Sequence, residues 1–233
     1  MKKLLSPYSI NLYRLCPRKF YFYINEYRAL PPLYAEALEF GRVVHNIIRR
    51  YYELIPNSIV PGEVRLWVSR AFKEVFPESM EHLRERVENQ LITFIRFEER
   101  RLSWHINPKP VAIEKEFVKD GVHGIVDALF RRGNELIVVD WKTGKGQADL
   151  TDDIIVQLNI YMWLTGAHRA YVLFLEYNNF REVTRRVDVE ELVSIIKEDK
   201  AFVPRRGPHC STCEFQIACM GSEHTSFWWK HAL

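Results

Sequence analysis

The sequence predicts one α/β domain, residues 1–233, with a mixed central sheet flanked by helices. Three apolar runs lie close together, joined by Asp120-Gly121 and Gly133-Asn134, dipeptides typical of two-residue hairpins. A helical pattern and two further apolar runs follow, separated by Asn178-Asn179. The predicted strands are 110–118, 122–131, 135–141, 170–177 and 181–188, with a helix over 152–165.

Helical spacing of apolar residues occupies the first half of the chain. We expect a helix or two over 7–25 with a break at Cys16-Pro17, and a helix after Pro31-Pro32 that ends near Leu54. Further helices are predicted at 62–75, 79–104 and 189–199. The expected organisation is a helical part, a sheet-containing core, and two terminal segments joined to each other: 30–105, 106–200, and 1–29 with 201–233.

Composition limits the classes of protein that fit. A hydrophobic fraction of 47% allows a full core, and a net charge of +3 permits nucleic-acid binding through a local patch without demonstrating it. No apolar run approaches the roughly 20 residues of a membrane helix. The apolar part of Met1-Lys-Lys-Leu-Leu is too short for a signal peptide, so we expect a cytoplasmic protein.

Two carboxylates stand at the ends of apolar runs. Asp127 ends Gly124-Ile-Val-Asp127, and Asp140 begins the unit Asp140-Trp-Lys142 at the end of another run. On paired strands both carboxylates can converge on one hard metal ion, and alternation sends Asp140 and Lys142 to the same side. A lysine beside a bound cation suits activation of water against a phosphodiester. The plainer interpretation is a solvated ion pair.

Two further pairs share a helix face because their members are four residues apart. Gly41 and His45 form one pair; the glycine would let another backbone approach while the imidazole projects into the same gap. Gln157 and Tyr161 form the other and could hold a lysine or a nucleic-acid strand by hydrogen bonds. Taken alone, an isolated histidine is more often a core residue than a ligand, and the Gln157–Tyr161 pair is a weak signal that an ordinary polar helix edge explains.

The cysteines are spaced unusually. Cys16 stands alone, 194 positions before the Cys210-x2-Cys213-x5-Cys219 group. A structural zinc site usually brings two close pairs. Two disulfides are the redox alternative, but an intracellular chain favours metal or cluster ligation.

Together these motifs resemble the RecB-like branch of the PD-(D/E)xK nuclease superfamily, and in particular its iron–sulfur members among the CRISPR-associated exonucleases. The glycine-x3-histidine, glycine-x2-aspartate, acid-x-lysine and glutamine-x3-tyrosine motifs occur in the family's order, followed by the cysteine trio. The resemblance spans residues 16–219. The acid of the acid-x-lysine unit is aspartate here, where these nucleases carry glutamate or aspartate.

The resemblance implies a restriction-endonuclease-like core and two kinds of metal site. His45, Asp127, Asp140 and the Trp141 carbonyl would hold Mg²⁺ or Mn²⁺, with Lys142 orienting the attacking water. Gln157 and Tyr161 would hold the lysine side of the site, and Glu114 or Glu116 would add an outer carboxylate, depending on the strand register. An iron–sulfur cluster, [4Fe–4S] by preference, would bind the four cysteines Cys16, Cys210, Cys213 and Cys219.

The implied activity is exonucleolytic cleavage of DNA, chiefly of single-stranded ends, in CRISPR spacer acquisition beside the adaptation integrase. N-terminal aromatic residues interleaved with basic ones could bind the strand, although packing explains most of them. One alternative is end or flap trimming in repair or replication. A non-enzymatic alternative is a DNA-binding scaffold stabilised by zinc or by a cluster.

Overall fold

The computed structural model describes residues 4–26, 35–104, 106–146 and 148–220. Pro31-Pro32 and the aromatic segment 226–233 lie outside these ranges. The chain divides into two compact units, 1–33 with 188–233, and 34–187. The helix that precedes the cysteine-rich segment therefore groups with the termini rather than with the sheet.

Within the described residues, seven α-helices and five strands occur. The helices are α1 (Pro7–Leu15), α2 (Pro17–Ile24), α3 (Ala35–Leu54), α4 (Val64–Val75), α5 (Arg84–Ser103), α6 (Asp152–Thr165) and α7 (Val189–Glu198). The strands are β1 (Ala112–Lys119), β2 (Val122–Arg132), β3 (Glu135–Lys142), β4 (Arg169–Phe174) and β5 (Asn179–Glu182). No helix in the described ranges is long and apolar enough to cross a membrane.

The five strands form one mixed sheet in the order β1-β2-β3-β4-β5. The first three are antiparallel neighbours, whereas β3 and β4 are parallel and are connected through α6. This crossover is needed because parallel strands cannot be joined by a tight turn. The predicted mixed α/β sheet is confirmed.

Both expected hairpins are present. Asp120 and Gly121 have φ of 49° and 80°, the left-handed pair that a two-residue loop requires. Gly133 has φ of 57°, and Arg132 pairs with Glu135 directly across the second turn. These two turns fix the register of β1, β2 and β3, and Asp127 and Asp140 lie on the last two of these strands.

The last two strands are shorter than predicted. β4 ends at Phe174 in a 3-10 turn, and Asn178, with φ of 49°, reverses the chain. β5 then spans only Asn179–Glu182, so the predicted strand 181–188 is wrong from Val183 onwards. Three consecutive charged or polar residues, Thr184 to Arg186, are exposed there and have no apolar face to bury.

The core of the 34–187 unit lies between the sheet and the helices α3, α4 and α5. Tyr51, Phe94 and Trp141 are almost fully buried in it, with edge-to-face ring contacts at 5.3 and 5.7 Å. Glu98 and Arg101, both buried, form an ion pair with an N–O distance of 2.6 Å, and two tyrosine hydroxyls donate to the same carboxylate. This buried charge pair, with its remaining hydrogen bonds satisfied, links α5 to α3 through the two tyrosines.

In the other unit, Ser6 caps α1 and Cys16 separates α1 from α2. The break was predicted, since Pro17 cannot continue the hydrogen bonding of the first helix. The hydroxyl of Tyr13 donates to Asp199 at 2.8 Å, tying α1 to the end of α7.

Candidate active site

Asp140 and Lys142 lie at the end of β3, in the middle of the sheet. Asp140 is 1% exposed and its Oδ2 is 2.8 Å from Lys142 Nζ. The two side chains share one face because strand residues alternate, and Trp141 packs on the other face against α5. The fold thus presents an acid and a lysine side by side on a rigid strand end.

Asp127 lies next to this pair on β2. The β2–β3 register ends at Ala128 opposite Val139, so Asp127 and Asp140 follow one step further on. Asp127 is 7% exposed, and the Trp141 backbone N–H donates to its Oδ2 at 2.8 Å. This hydrogen bond leaves Oδ1 available on the other side.

Glu114 lies opposite Asp127 on the neighbouring strand. In the β1–β2 register, Ile113 pairs with Ala128 and Lys115 with Val126, so Glu114 stands directly across from Asp127, although these two residues are not themselves paired in the ladder. Glu114 has φ of 44°, a conformation that bulky residues rarely adopt and that is characteristic of functional sites. The sequence leaves open whether Glu114 or Glu116 faces the site; in the structure Glu114 contacts His45, while Glu116 contacts His123.

His45 reaches the carboxylates from α3. Its Nδ1 lies 2.9 Å from Glu114 Oε1 and 3.7 Å from Asp127 Oδ1. Gly41, one turn earlier, lies under the loop that follows β3; a Cβ there would stand 3.1 Å from Thr143 Oγ1. The glycine therefore permits the close approach of α3 that brings the imidazole to the sheet.

The donor set fits a divalent cation. One ligand atom from each of His45, Glu114 and Asp127 lies within 4.8 Å of the others. Adjacent ligands of an octahedral Mg²⁺ ion lie about 3 Å apart, close to the separations observed. Three carboxylates, including Asp140, face one lysine ammonium, so two negative charges are unbalanced when the imidazole is neutral. A divalent cation would neutralise them.

The pKa values of Asp127 and His45 reflect the same crowding of negative charge. Burial raises the pKa of Asp127, and the neighbouring carboxylates Asp140 and Glu114 raise it further, although His45 acts in the opposite direction. Burial lowers the pKa of His45, but the charge of Asp127 and the contact with Glu114 outweigh it and raise the value to about 9. The raised pKa values of both groups have the same cause, a concentration of negative charge that favours bound positive charge at this point.

Lys142, Gln157 and Tyr161 form a hydrogen-bonded chain beside Asp140. Lys142 Nζ donates to Gln157 Oε1 at 2.9 Å, and Gln157 Nε2 donates to the Tyr161 hydroxyl at 2.9 Å. Burial lowers the pKa of Lys142, yet the charges of Asp140 and Asp127 raise it overall, so the amine is held as an ammonium. The two helix residues thus fix the direction of a charged lysine.

Gly124 leaves space for the side chain of Tyr161, the last member of this hydrogen-bonded series. A Cβ at that position would come within 2.8 Å of the Tyr161 ring and 3.1 Å of Leu164. The glycine-x2-aspartate motif therefore has a packing basis: it lets α6 lie directly on β2, where Asp127 follows three residues later.

Two residues of α5 that the sequence did not single out hold the loop after β3. Gln90 Nε2 donates to the Thr143 carbonyl at 3.0 Å and to Glu176 at 2.7 Å. Arg86 reaches the same carbonyl and carboxylate, both at 3.3 Å. Buried Gln90 interrupts the apolar face of α5, but no spacing pattern in the sequence relates it to Thr143.

The four cysteines, all in the unit of the chain termini, line one cavity of about 330 Å³. Cys16 is buried, and its sulfur accepts a hydrogen bond from the Arg205 backbone N–H at 3.4 Å. Lys19 and Glu214, 2.8 Å apart, link α2 to the cysteine-rich segment. All four cysteines lie within the described residues, and none takes part in a disulfide.

The N-terminal aromatic residues serve mainly to pack this unit. Phe20 is fully buried against Tyr13 with ring centroids 5.5 Å apart, and Tyr13 is bonded to Asp199. Tyr8 is 55% exposed and contacts Tyr23 edge-on. The expectation that packing explains most of these aromatics is confirmed for Phe20 and Tyr13.

Comparison with known families settles the class of protein. A model of the PD-(D/E)XK nuclease superfamily matches residues 4–220. The chain belongs to this superfamily. Membership implies a metal-dependent nuclease that binds DNA, in agreement with the donor set of His45, Glu114 and Asp127. The crystal structure of SSO0001 is similar at 18% identity and a TM-score of 0.35, covering 76% of this chain and 94% of that one.

Proposed function

We propose that this superfamily member is an exonuclease that hydrolyses single-stranded DNA ends with Mg²⁺ or Mn²⁺. The observation that supports it most is the meeting of His45, Glu114 and Asp127 within 4.8 Å, beside buried Asp140 and its partly buried partner Lys142. Carboxylates suit Mg²⁺, and the imidazole also suits Mn²⁺. A structural ion pair alone would not require a strained Glu114 or an additional imidazole.

In this proposal His45, Glu114, Asp127 and Asp140 hold the cation, with the Trp141 carbonyl as a further ligand. The bound ion supplies an acidified water and neutralises charge on the scissile phosphate. Lys142, kept charged by Asp140, donates a hydrogen bond to the attacking water or to the phosphate oxygen on which charge develops. Gln157 and Tyr161 hold the Lys142 ammonium group in the orientation needed for this hydrogen bond.

Products from end-labelled DNA test the activity. The protein is incubated with single-stranded oligonucleotides labelled at the 5′ or the 3′ end, with Mn²⁺, Mg²⁺ or EDTA. Stepwise release of short products from one end, dependent on metal, supports the proposal. Cleavage only at internal positions contradicts exonuclease action, and cleavage in EDTA contradicts the metal centre. Duplex oligonucleotides of the same sequence test the preference for single strands.

We further propose that the four cysteines hold a [4Fe–4S] cluster. Tetrahedral zinc with Zn–S bonds of 2.3 Å brings its sulfurs to about 3.8 Å from one another. Among the described residues, no three cysteine sulfurs lie within 4.8 Å of one another, although all four face the same cavity. A cavity of about 330 Å³ with separated sulfurs favours a cluster over a single ion.

The proposed pathway is CRISPR spacer acquisition, in which the enzyme would trim DNA in the cytoplasm beside the adaptation integrase. The support is the order of the four catalytic motifs together with the cysteine pattern, and thiols persist in a reducing compartment. Repair or replication end trimming uses the same chemistry. A genomic neighbourhood with integrase genes and repeat arrays separates the pathways. A non-catalytic scaffold would have no reason to keep Lys142 paired with buried Asp140.

A further inference from the structure

A second surface of the 34–187 unit has the composition of a strand-binding site. An open groove of about 620 Å³ runs between α5 and the β4–β5 hairpin. We call it the α5–β5 trough; its principal lining residues are Arg96, Arg100, Trp104, Asn179, Phe180 and Arg181. A smaller cavity of about 70 Å³ adjoins it, sharing Trp104 and Phe180, and extends the trough towards Arg132 and Arg169.

The trough is strongly asymmetric in charge. The larger cavity is lined by three arginines and by one acidic residue, Glu99. Within the described ranges, neither Arg96 nor Arg100 has a carboxylate partner, and both are exposed. Arg181 contacts Asp149 at 3.3 Å, but both side chains are about half exposed or more, so that pair is weak. Unpaired guanidinium groups remain available for phosphate.

An aromatic platform accompanies the charges. Arg96 and Arg100 lie four residues apart on one face of α5, and Trp104, the residue directly after this helix, lines the same cavity. Trp104 is 43% exposed, which is unusual for so large an apolar side chain. Phe180 below it is fixed by stacking on Tyr171, with centroids 4.9 Å apart and planes at 5°. An exposed indole beside guanidinium groups is suited to stacking on a nucleic-acid base.

The trough lies away from the candidate active site. Trp141 and Leu173 are direct partners in the β3–β4 ladder and face the α5 side of the sheet, whereas Asp140 and Lys142 face the other side. The six residues of β4 beside the trough extend about 17 Å, enough for several nucleotides. A strand held here would be outside the region where Lys142 acts.

We propose that the α5–β5 trough binds single-stranded DNA, with phosphates on Arg96, Arg100 and Arg181 and a base stacked on Trp104. This surface retains the substrate by contacts that are independent of cleavage. The choice of DNA rests on the proposed nuclease function, whereas preference for a single strand follows from Trp104, since bases in a duplex do not offer their faces. Sequence-independent contacts of this kind suit an enzyme that degrades strands.

Binding is measured without catalysis, so that its failure and failure of the nuclease proposal are distinguishable. The full chain in EDTA is titrated into a fluorescein-labelled 20-nucleotide single strand, and anisotropy is followed at several salt concentrations. The trough variants are Arg96→Ala with Arg100→Ala, Trp104→Ala and Trp104→Phe. The matched control is Arg65→Ala with Lys73→Ala, which removes the same charge from exposed positions on α4.

The double arginine variant is expected to raise Kd at least tenfold and to reduce the slope of log K against log salt by about 1.4, the value for two lost phosphate contacts. Trp104→Ala should raise Kd about fivefold or more with the slope unchanged, and Trp104→Phe should restore most of the affinity. With metal present, these variants should keep kcat at saturating DNA and show a raised KM.

Four results overturn the proposal. The first two are that the parent protein does not bind the single strand, or that the α4 control loses as much affinity as the trough variants. The other two are that the trough variants bind the strand as tightly as the parent, or that low salt alone restores the affinity of Trp104→Ala to the parent value. Tighter binding of duplex DNA, single-stranded RNA or polyglutamate than of the labelled strand also overturns it. Melting temperatures within about 2 °C of the parent are required of each variant.

Discussion

At the residue scale, Glu114 has a strained backbone conformation at the candidate metal site. Its backbone φ of 44° costs on the order of 1–3 kcal/mol for a residue of this size. The β1–β2 ladder is interrupted at this residue, and its carboxylate oxygen lies 2.9 Å from His45. A ligand held by the Glu114 carboxylate would compensate for this strain.

We predict that Glu114→Gln lowers Mn²⁺ affinity by about 10- to 100-fold, because an amide replaces a charged ligand or a partner that orients His45. The matched control is Glu116→Gln, two residues along the same strand, where the carboxylate contacts His123 outside the site. Calorimetric titration of both variants with Mn²⁺ measures the difference. Equal affinities for the two variants would show that Glu114 is not part of the metal centre.

His45→Ala should weaken Mn²⁺ binding more than it weakens the fold. The side chain is partly exposed and its contacts are carboxylates rather than apolar groups. Removing it also removes the cation that offsets Asp127 in the metal-free state. Thermal melts with and without Mn²⁺ check this: the parent melting temperature should rise with metal, and that of the variant should rise much less. An unchanged metal-dependent shift, with normal DNA cleavage, would mean that His45 is only a structural residue.

At the scale of elements, α6 and β2 touch through Gly124. We predict that Gly124→Ala destabilises the protein by about 1–3 kcal/mol, because the added methyl would stand 2.8 Å from Tyr161 in a packed contact. It should also lower activity by displacing Tyr161 and Gln157. Gly62→Ala is the control, since nothing lies within 4 Å of its Cβ position. Urea unfolding of the two variants compares them; equal midpoints would contradict the proposed packing.

The elements that the sequence predicts well are those with strong local signals. The turns Asp120-Gly121 and Gly133-Asn134 fix β1, β2 and β3, and the spacing from Gly41 to His45 gives the face of α3. The features that the sequence does not predict depend on tertiary contacts. Alternation alone does not specify the conformation of Glu114, where the β1–β2 ladder is interrupted. β5 ends early because its polar continuation has no sheet face to cover. Gln90 donates a hydrogen bond to the Thr143 carbonyl, 53 residues away in the sequence, so no periodic pattern in the sequence indicates this contact.

At the scale of the whole molecule, cysteines from the N-terminal and C-terminal segments line one cavity. Cys16 lies between α1 and α2, whereas its three companions lie beyond α7. Closing a loop of about 200 residues restricts the unfolded chain by on the order of 5 kcal/mol if a cluster constrains it like a disulfide. A cluster bound by the four cysteines would therefore be a major determinant of the stability of this unit.

We predict that anaerobically purified protein is brown and contains iron and sulfide in comparable amounts. Replacing any one of Cys16, Cys210, Cys213 or Cys219 by serine should bleach it and lower the melting temperature, because one lost ligand releases both chain ends. Metal and sulfide analysis with a visible absorption spectrum provides the measurement. Colourless protein with stoichiometric zinc would replace the cluster by a zinc ion, and protein without metal or thiols would indicate disulfides. Neither outcome would affect the nuclease proposal.

The central claim is that Asp140 and Lys142, with the neighbouring carboxylates and His45, form a metal-dependent catalytic centre. The most direct test is the rate of Mn²⁺-dependent cleavage of labelled single-stranded DNA by the parent protein, Asp140→Asn and Lys142→Ala, with Asp153→Asn on the exposed start of α6 as control. We predict that the first two variants lose at least about 100-fold in rate while remaining folded, and that the control cleaves like the parent. Cleavage at the parent rate by folded Asp140→Asn or Lys142→Ala protein would contradict the claim.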